Sequence, residues 1–250
     1  RELSLPLPRT FHAVTRAAAT WAVCVPALAT PALLALEQRC AARLAAQTRT
    51  QAGGHLGDFV FSACAVTKRC RPREAEFYLR VAPTLPGLLP FLPQLLGVER
   101  RGEDTFVRLQ NLCPGERFSL LDVKLNVRCR AKLLVSALCQ RAQFYFAGCR
   151  VIGPDGELLE CRRSATLRLE TEELHALLRR FFSCSADGAF NAAGLRRVVV
   201  GLRRLREELA AARVALPQSS VLVLHDRGSG ETRLHLVDFA HFAAEGGAAV

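Results

Sequence analysis

No two of the ten cysteines in this sequence form a C-x-x-C pair, and no histidines gather at the spacing of a zinc site. A structural zinc needs such clustered ligands, so a zinc module is excluded. The cysteines, at 24, 40, 64, 70, 113, 129, 139, 149, 161 and 184, read as reduced thiols of a cytosolic or nuclear protein. Aromatic hydrogen-bonding side chains are also scarce, with two Tyr and one Trp. No recognisable base-stacking nucleic-acid module accompanies the basic runs. Acids are outnumbered, 23 against 34 Lys plus Arg, for a net charge of +11. Most of that excess is arginine, whose planar fork suits phosphate. A polyanionic partner follows, and charge alone does not choose between nucleic acid, anionic membrane and a highly phosphorylated small molecule.

The 250 residues suffice for one large domain or two small ones, and half of them are hydrophobic, enough for a packed core. Twenty uncharged residues lie between Arg16 and Glu37, long enough to span a bilayer. They are rich in Ala and Thr and interrupted by Pro26 and Pro31, so stable membrane insertion is not expected. Residues 1–50 read instead as an Ala-rich extension, helical or poorly ordered. The chain begins at Arg rather than Met, as a fragment would.

From Gln51, the glycine cluster of QAGGH precedes a β-branched and aromatic run, a turn entering a strand. PREAEFYLRVA predicts a helix with Pro72 in its first turn and Glu74 and Glu76 near its positive end. TFVRLQNL and FSLLDVKLNV predict successive strands with CPGER as a turn between them. AQFYFAGCRVIGPDGELLE predicts a hairpin around Gly-Pro-Asp-Gly. Apolar residues three and four apart predict helices in ETEELHALLRRFFS and in the long basic stretch from Asn191 to Leu216. SSVLVLHDRGSGETRLHLVDFAHF predicts a late strand, glycine turn and strand. There is no internal repeat. The order implies an α+β fold in two lobes.

In FSLLDVKLNVR, alternation sets Asp122, Lys124 and Asn126 on one face and Leu121, Val123, Leu125 and Val127 on the other. The apolar face packs, so the charged face looks into water or a ligand. HLVDFAHF then places Asp238 at the end of an apolar strand. A carboxylate on a rigid strand end is how phosphotransferases hold magnesium against nucleotide phosphates.

Together and in this order, QAGGH, PREAEFY, the Asp122-x-Lys124 pair, SSVLVLHD and VDFAH resemble the inositol polyphosphate kinase family, most closely its hexakisphosphate kinase and multikinase branches. The resemblance covers about Gln51 to Phe242. It implies a two-lobed, kinase-like fold with antiparallel sheets and a helical substrate-binding part, the N-lobe over about 51–112 and the C-lobe over about 113–250. It implies a cytoplasmic or nuclear enzyme that uses ATP and Mg2+ to phosphorylate a phosphorylated inositol. Lys68 would meet the nucleotide phosphates, and backbone groups from Gln110 to Leu112 would bond the adenine. Asp122 would lie beside the nucleotide, with Lys124 between the transferred phosphoryl group and the substrate. Arg128 would hold a substrate phosphate, Asp238 the magnesium, and His241 the inositol phosphate.

The chain departs from the family pattern at three single residues and in two segments. Phe118 stands for the signature proline, Asn126 for its glycine, and Gln110 for a common acid. The basic segment after Asp122 is short, with Arg128, Arg130, Lys132 and Arg141 remaining, and AAEGGAAV stands where the family continues into a further helix. These departures support a second reading, a catalytically impaired relative that still binds inositol phosphates. Charge alone supports a third, a basic nucleic-acid-binding protein.

Overall fold

The computed structural model describes residues 59–114, 117–125, 144–153, 156–162, 166, 169–183 and 188–244. The extension over 1–50, the apolar run 17–36, QAGGH, Asn126 and Arg128 lie outside them. No described helix is long and apolar enough to cross a membrane.

The first lobe is a four-stranded antiparallel sheet in the order β1-β2-β4-β3, from β1 (Phe59–Phe61), β2 (Ala65–Cys70), β3 (Leu95–Arg101) and β4 (Asp104–Gln110). Its register puts Val66 opposite Leu109 and Lys68 opposite Val107, so these four share a face. Helix α1 (Pro72–Glu76) follows β2, sets Glu74 against Lys68 at one end of that face, and runs into a π-helical turn, Phe77–Val81. Pro72 suits the first turn, where its missing N–H removes no helix bond. The segment buries Ala75, Phe77 and Tyr78.

The second lobe is a five-stranded antiparallel sheet, order β10-β9-β5-β6-β7. Its strands are β5 (Phe118–Leu125), β6 (Phe144–Ile152), β7 (Leu158–Arg162), β9 (Ser220–Asp226) and β10 (Thr232–Val237). A short pair, β8 (Val214–Ala215) and β11 (Ala243–Ala244), stands apart. Both expected hairpins form, β6 with β7 and β9 with β10. The two strands flanking CPGER are successive but belong to different sheets. That stretch is therefore the crossing between lobes, because β4 is already paired on both sides within the first sheet.

Helix α2 (Thr171–Phe181) opens with the Glu170 amide bonded to Glu173 Oε2 at 3.0 Å and closes with Arg179 and Arg180. Charges of each sign thus sit at the favourable ends of its dipole. Helix α3 (Ala192–Ala212) is capped by Asn191, whose Oδ1 accepts the Gly194 amide at 2.8 Å. It buries Leu195, Val198, Leu202, Leu205 and Leu209, one stripe of its surface. Gly201 lets it lie close on β10, since a Cβ there would come 2.5 Å from Leu234 Cδ1. The same helix braces the first lobe. Glu208 reaches Gly87, and Arg204 lies over the Phe91 ring at 5.9 Å.

One apolar core joins both lobes. At its centre Phe239, from the second lobe, stacks on Phe77, from the first, with centroids 4.0 Å apart. Both rings are fully buried.

Candidate active site

Strand β5 carries out the alternation expected of it. Leu121 and Val123 are buried, while Asp122 and Lys124 keep partial exposure on the opposite face. The β9 register puts Asp122 opposite Leu222 and Lys124 opposite Ser220, so this face also carries Leu222. Phe118, at the head of the strand, is buried with the Arg117 and Arg233 guanidiniums over its ring at 5.3 and 5.4 Å.

Asp238 follows β10 in the left-handed conformation, φ 67°. That backbone is disfavoured for a residue with a Cβ and persists only where surroundings enforce it. Two surroundings do so here. Ser219 Oγ donates to the Asp238 carbonyl at 2.9 Å, and the next residue, Phe239, is locked in the stack on Phe77. The carboxylate is thereby held at the junction of the lobes.

Lys68 on β2 donates to Asp238 Oδ1 at 2.7 Å, and Lys124 on β5 donates to Oδ2 at 2.5 Å. Each lysine has a second acceptor. Lys68 donates to Glu74 Oε1 at 2.9 Å and Lys124 to the Gln218 carbonyl at 3.0 Å. Burial alone would raise the Asp238 pKa, but Lys68 and then Lys124 overcome it and hold the carboxyl at about 2. Burial opposes the charge of Lys68, yet Asp238 and Glu74 outweigh it and raise that ammonium's pKa. Burial pushes the carboxyls of Glu74 and Asp122 up, against Lys68 and Lys124 respectively. Asp122 Oδ1 is buried with no hydrogen-bond partner among the described residues.

His241 lies three residues beyond Asp238. Burial, then the charges of Arg71, Arg73 and Lys124, lower its pKa. Arg73 also lies over the Phe242 ring at 5.4 Å. The structure thus brings Lys68, Asp122, Lys124, Asp238 and His241 to one place.

Gln110 ends β4 with an exposed side chain, and its amide is taken by the Gln94 carbonyl at 2.9 Å. The Asn111 amide bonds the Cys64 carbonyl and the Cys113 amide bonds Asn111 Oδ1, both at 3.0 Å. Of this run's donors, the Leu112 amide is the one without a partner among the described residues. An open apolar cavity of about 490 Å3 lies beside Gln110, lined by Tyr78, Leu92 and Pro93 among others. It includes neither lysine nor carboxylate of the ion-pair cluster, so it is not where phosphate chemistry would sit.

Four groups at the site escape sequence reading. Glu74 reads as a helix-end acid but is buried, as the partner of Lys68. Neither Arg71 nor Arg73 is singled out by the sequence as a site residue. Phe61 is 68% exposed, on the sheet face that carries Val66 and Lys68. Alternation along β1 and β2 is the signal that would have found Phe61; nothing local marks the others.

Among the described residues no three His, Cys, Asp or Glu side chains form a metal cage. The protein instead offers the Asp238 carboxylate and, on the β5 face that carries its partner Lys124, an Asp122 oxygen without a partner among the described residues. Hard carboxylate oxygens, few in number, fit a divalent ion that keeps its other positions for phosphate and water, as Mg2+ does.

The sequence profile described as inositol polyphosphate kinase matches residues 106–248, more than half of the chain. No curated protein sequence matches. Among solved structures, the crystal structure of the inositol phosphate multikinase Ipk2 from S. cerevisiae, in complex with ADP and Mn2+, is similar. Its TM-score is 0.58 at 16% identity, covering 74% of this chain and 91% of that one. The fold is thus shared across low identity, and the profile match places this chain in the inositol polyphosphate kinase family.

Proposed function

We propose that the protein transfers the γ-phosphate of ATP to a phosphorylated inositol in the cleft between its two sheets. One observation carries the reading: a single carboxylate, Asp238, is bracketed by lysines from both lobes. Phosphoryl transfer asks a protein mainly to position reactants and neutralise spreading negative charge. Two ammonium groups converging from opposite walls do both.

Nucleotide would lie along the face of Phe61, Val66 and Lys68, with Leu222 below it and the Leu112 amide at the base. Lys68, held by Glu74, would meet its phosphates. Asp238, with Asp122 beside it, would hold Mg2+, which when bound neutralises phosphate charge. Lys124 would stand between the phosphoryl group and its acceptor, and Arg71, Arg73 and His241 would supply a basic rim for substrate phosphates. Arg128 would add to that rim from the segment after β5.

Calorimetric titration of the full chain with ADP in the presence of Mg2+ tests this. Binding that disappears in Asp238→Ala supports the reading. Failure of wild type to bind nucleotide, with salt-sensitive binding of DNA instead, would replace it with the nucleic-acid reading.

A further inference from the structure

Residues Leu216 to Ser219 form a turn closed by the Ser219 amide on the Leu216 carbonyl at 3.4 Å. Pro217 is its first central residue and Gln218 its second, with Gln218 at φ 67°. That is the pattern of a type II turn, whose second central position calls for glycine or asparagine. Glutamine there holds a strained backbone, and such strain persists where the surroundings fix it, often at sites that use it. The Gln218 side chain is exposed and makes no hydrogen bond among the described residues. Its carbonyl, turned by the left-handed backbone, accepts Lys124 Nζ at 3.0 Å. The next residue, Ser219, is bonded to the carbonyl of Asp238 at 2.9 Å.

The consequence follows from competition for Asp238. Both of its oxygens accept from lysines, and a divalent ion that binds there competes with those lysines for the carboxylate. Lys68 then keeps Glu74. Lys124, where it is the one displaced, keeps the Gln218 carbonyl alone among the described residues.

We propose that the Gln218 main-chain carbonyl is a positioning group, which holds Lys124 at the point of phosphoryl transfer once Asp238 has turned to the cation. This rests on the kinase reading of Lys124 and Asp238. The carbonyl touches neither reactant; it acts through the lysine. Because the backbone and not the side chain does this, residues that accept the left-handed turn serve, and β-branched ones fail.

The test uses the full chain with Gln218→Gly, Gln218→Asn and Gln218→Val. The readouts are the affinities for ADP with Mn2+, with and without fluoroaluminate, a stand-in for the phosphoryl group in flight, and the unfolding midpoint. Wild type, Gly and Asn variants should bind the fluoroaluminate complex alike. The Val variant should bind it roughly tenfold more weakly, with ADP and Mn2+ affinity unchanged. Should Gln218→Val not fold, Gln218→Ala replaces it, with a smaller loss expected in the same readout. Equal binding by all variants overturns the proposal. So does equal weakening in Gly and Val, which would assign the role to the side chain. So does parallel loss of ADP binding, which would mark a merely structural turn. If fluoroaluminate adds no affinity in wild type, the kinase reading itself falls, and the proposal with it.

Discussion

Lys124 and Asp238 stand 114 residues apart in sequence, and their side chains meet at 2.5 Å. The contact joins the middle of one sheet to the end of another strand, and a third residue, Lys68, closes it from the opposite lobe. Charge that looks misplaced on an apolar strand is thus matched by charge that only the folded chain delivers.

Lys124→Met should lower kcat by about 10^2 to 10^3, the size of effect seen when one preorganised charge-stabilising group is removed. Asp238 would retain Lys68, so the fold should survive. Steady-state kinetics beside a circular-dichroism melt would check both halves.

Asp122→Asn should make the protein more stable at neutral pH while impairing activity. Burial raises the folded pKa of Asp122 above its ordinary value of 3.8. Below pH 3.8 both folded and unfolded forms are protonated, and the substitution should change nothing. As pH rises, the unfolded chain ionises first, so wild-type stability falls until pH passes the folded pKa. Urea unfolding across pH 3.5 to 8 should show the variant's advantage appearing over that window.

Asp238 should behave in the opposite sense. Its folded pKa of about 2 lies below 3.8, so its contribution is complete above pH 3.8 and lost as pH falls toward 2. Asp238→Asn should therefore flatten the acid limb of the stability profile between those values.

Phe239→Ala should cost about 3 to 5 kcal/mol, because the ring is fully buried and stacked on Phe77. The denaturant midpoint measures it. Loss of the stack also frees the strained backbone of Asp238, so nucleotide-dependent metal binding should weaken even where the variant remains folded.

Phe61→Ala should leave stability within about 0.5 kcal/mol, as expected for an exposed side chain. Its affinity for ADP should nevertheless fall several-fold, since the ring lies on the face assigned to nucleotide. Calorimetry and a thermal melt separate the two.

Much of this was legible because it is local. Alternation along 118–125, apolar spacing in α2 and α3, and the Gly-Ser-Gly turn before Asp238 are written in neighbouring residues. The family resemblance then gathered Lys68, Asp122, Lys124 and Asp238 into one site. Glu74 was hidden because an acid near a helix start is already explained by the dipole; only its burial against Lys68 shows another role. Asn111 was hidden for a similar reason. Its side chain bonds the Ser62 carbonyl at 2.7 Å, a contact across 49 residues that ties the β1–β2 turn to the lobe junction. CPGER carries good turn residues, and no local signal distinguishes a hairpin turn from a crossing between sheets.

The most direct measurement is transfer of label from γ-labelled ATP, with Mg2+, to a panel of inositol phosphates from tris- to hexakisphosphate, alongside Lys124→Ala and Asp238→Ala. Label should enter at least one inositol phosphate with wild type, and at least about a hundredfold more slowly with either variant. Transfer that persists undiminished in both variants, or no transfer from wild type to any acceptor, would contradict the assignment of this ion-pair cluster as a phosphoryl-transfer site.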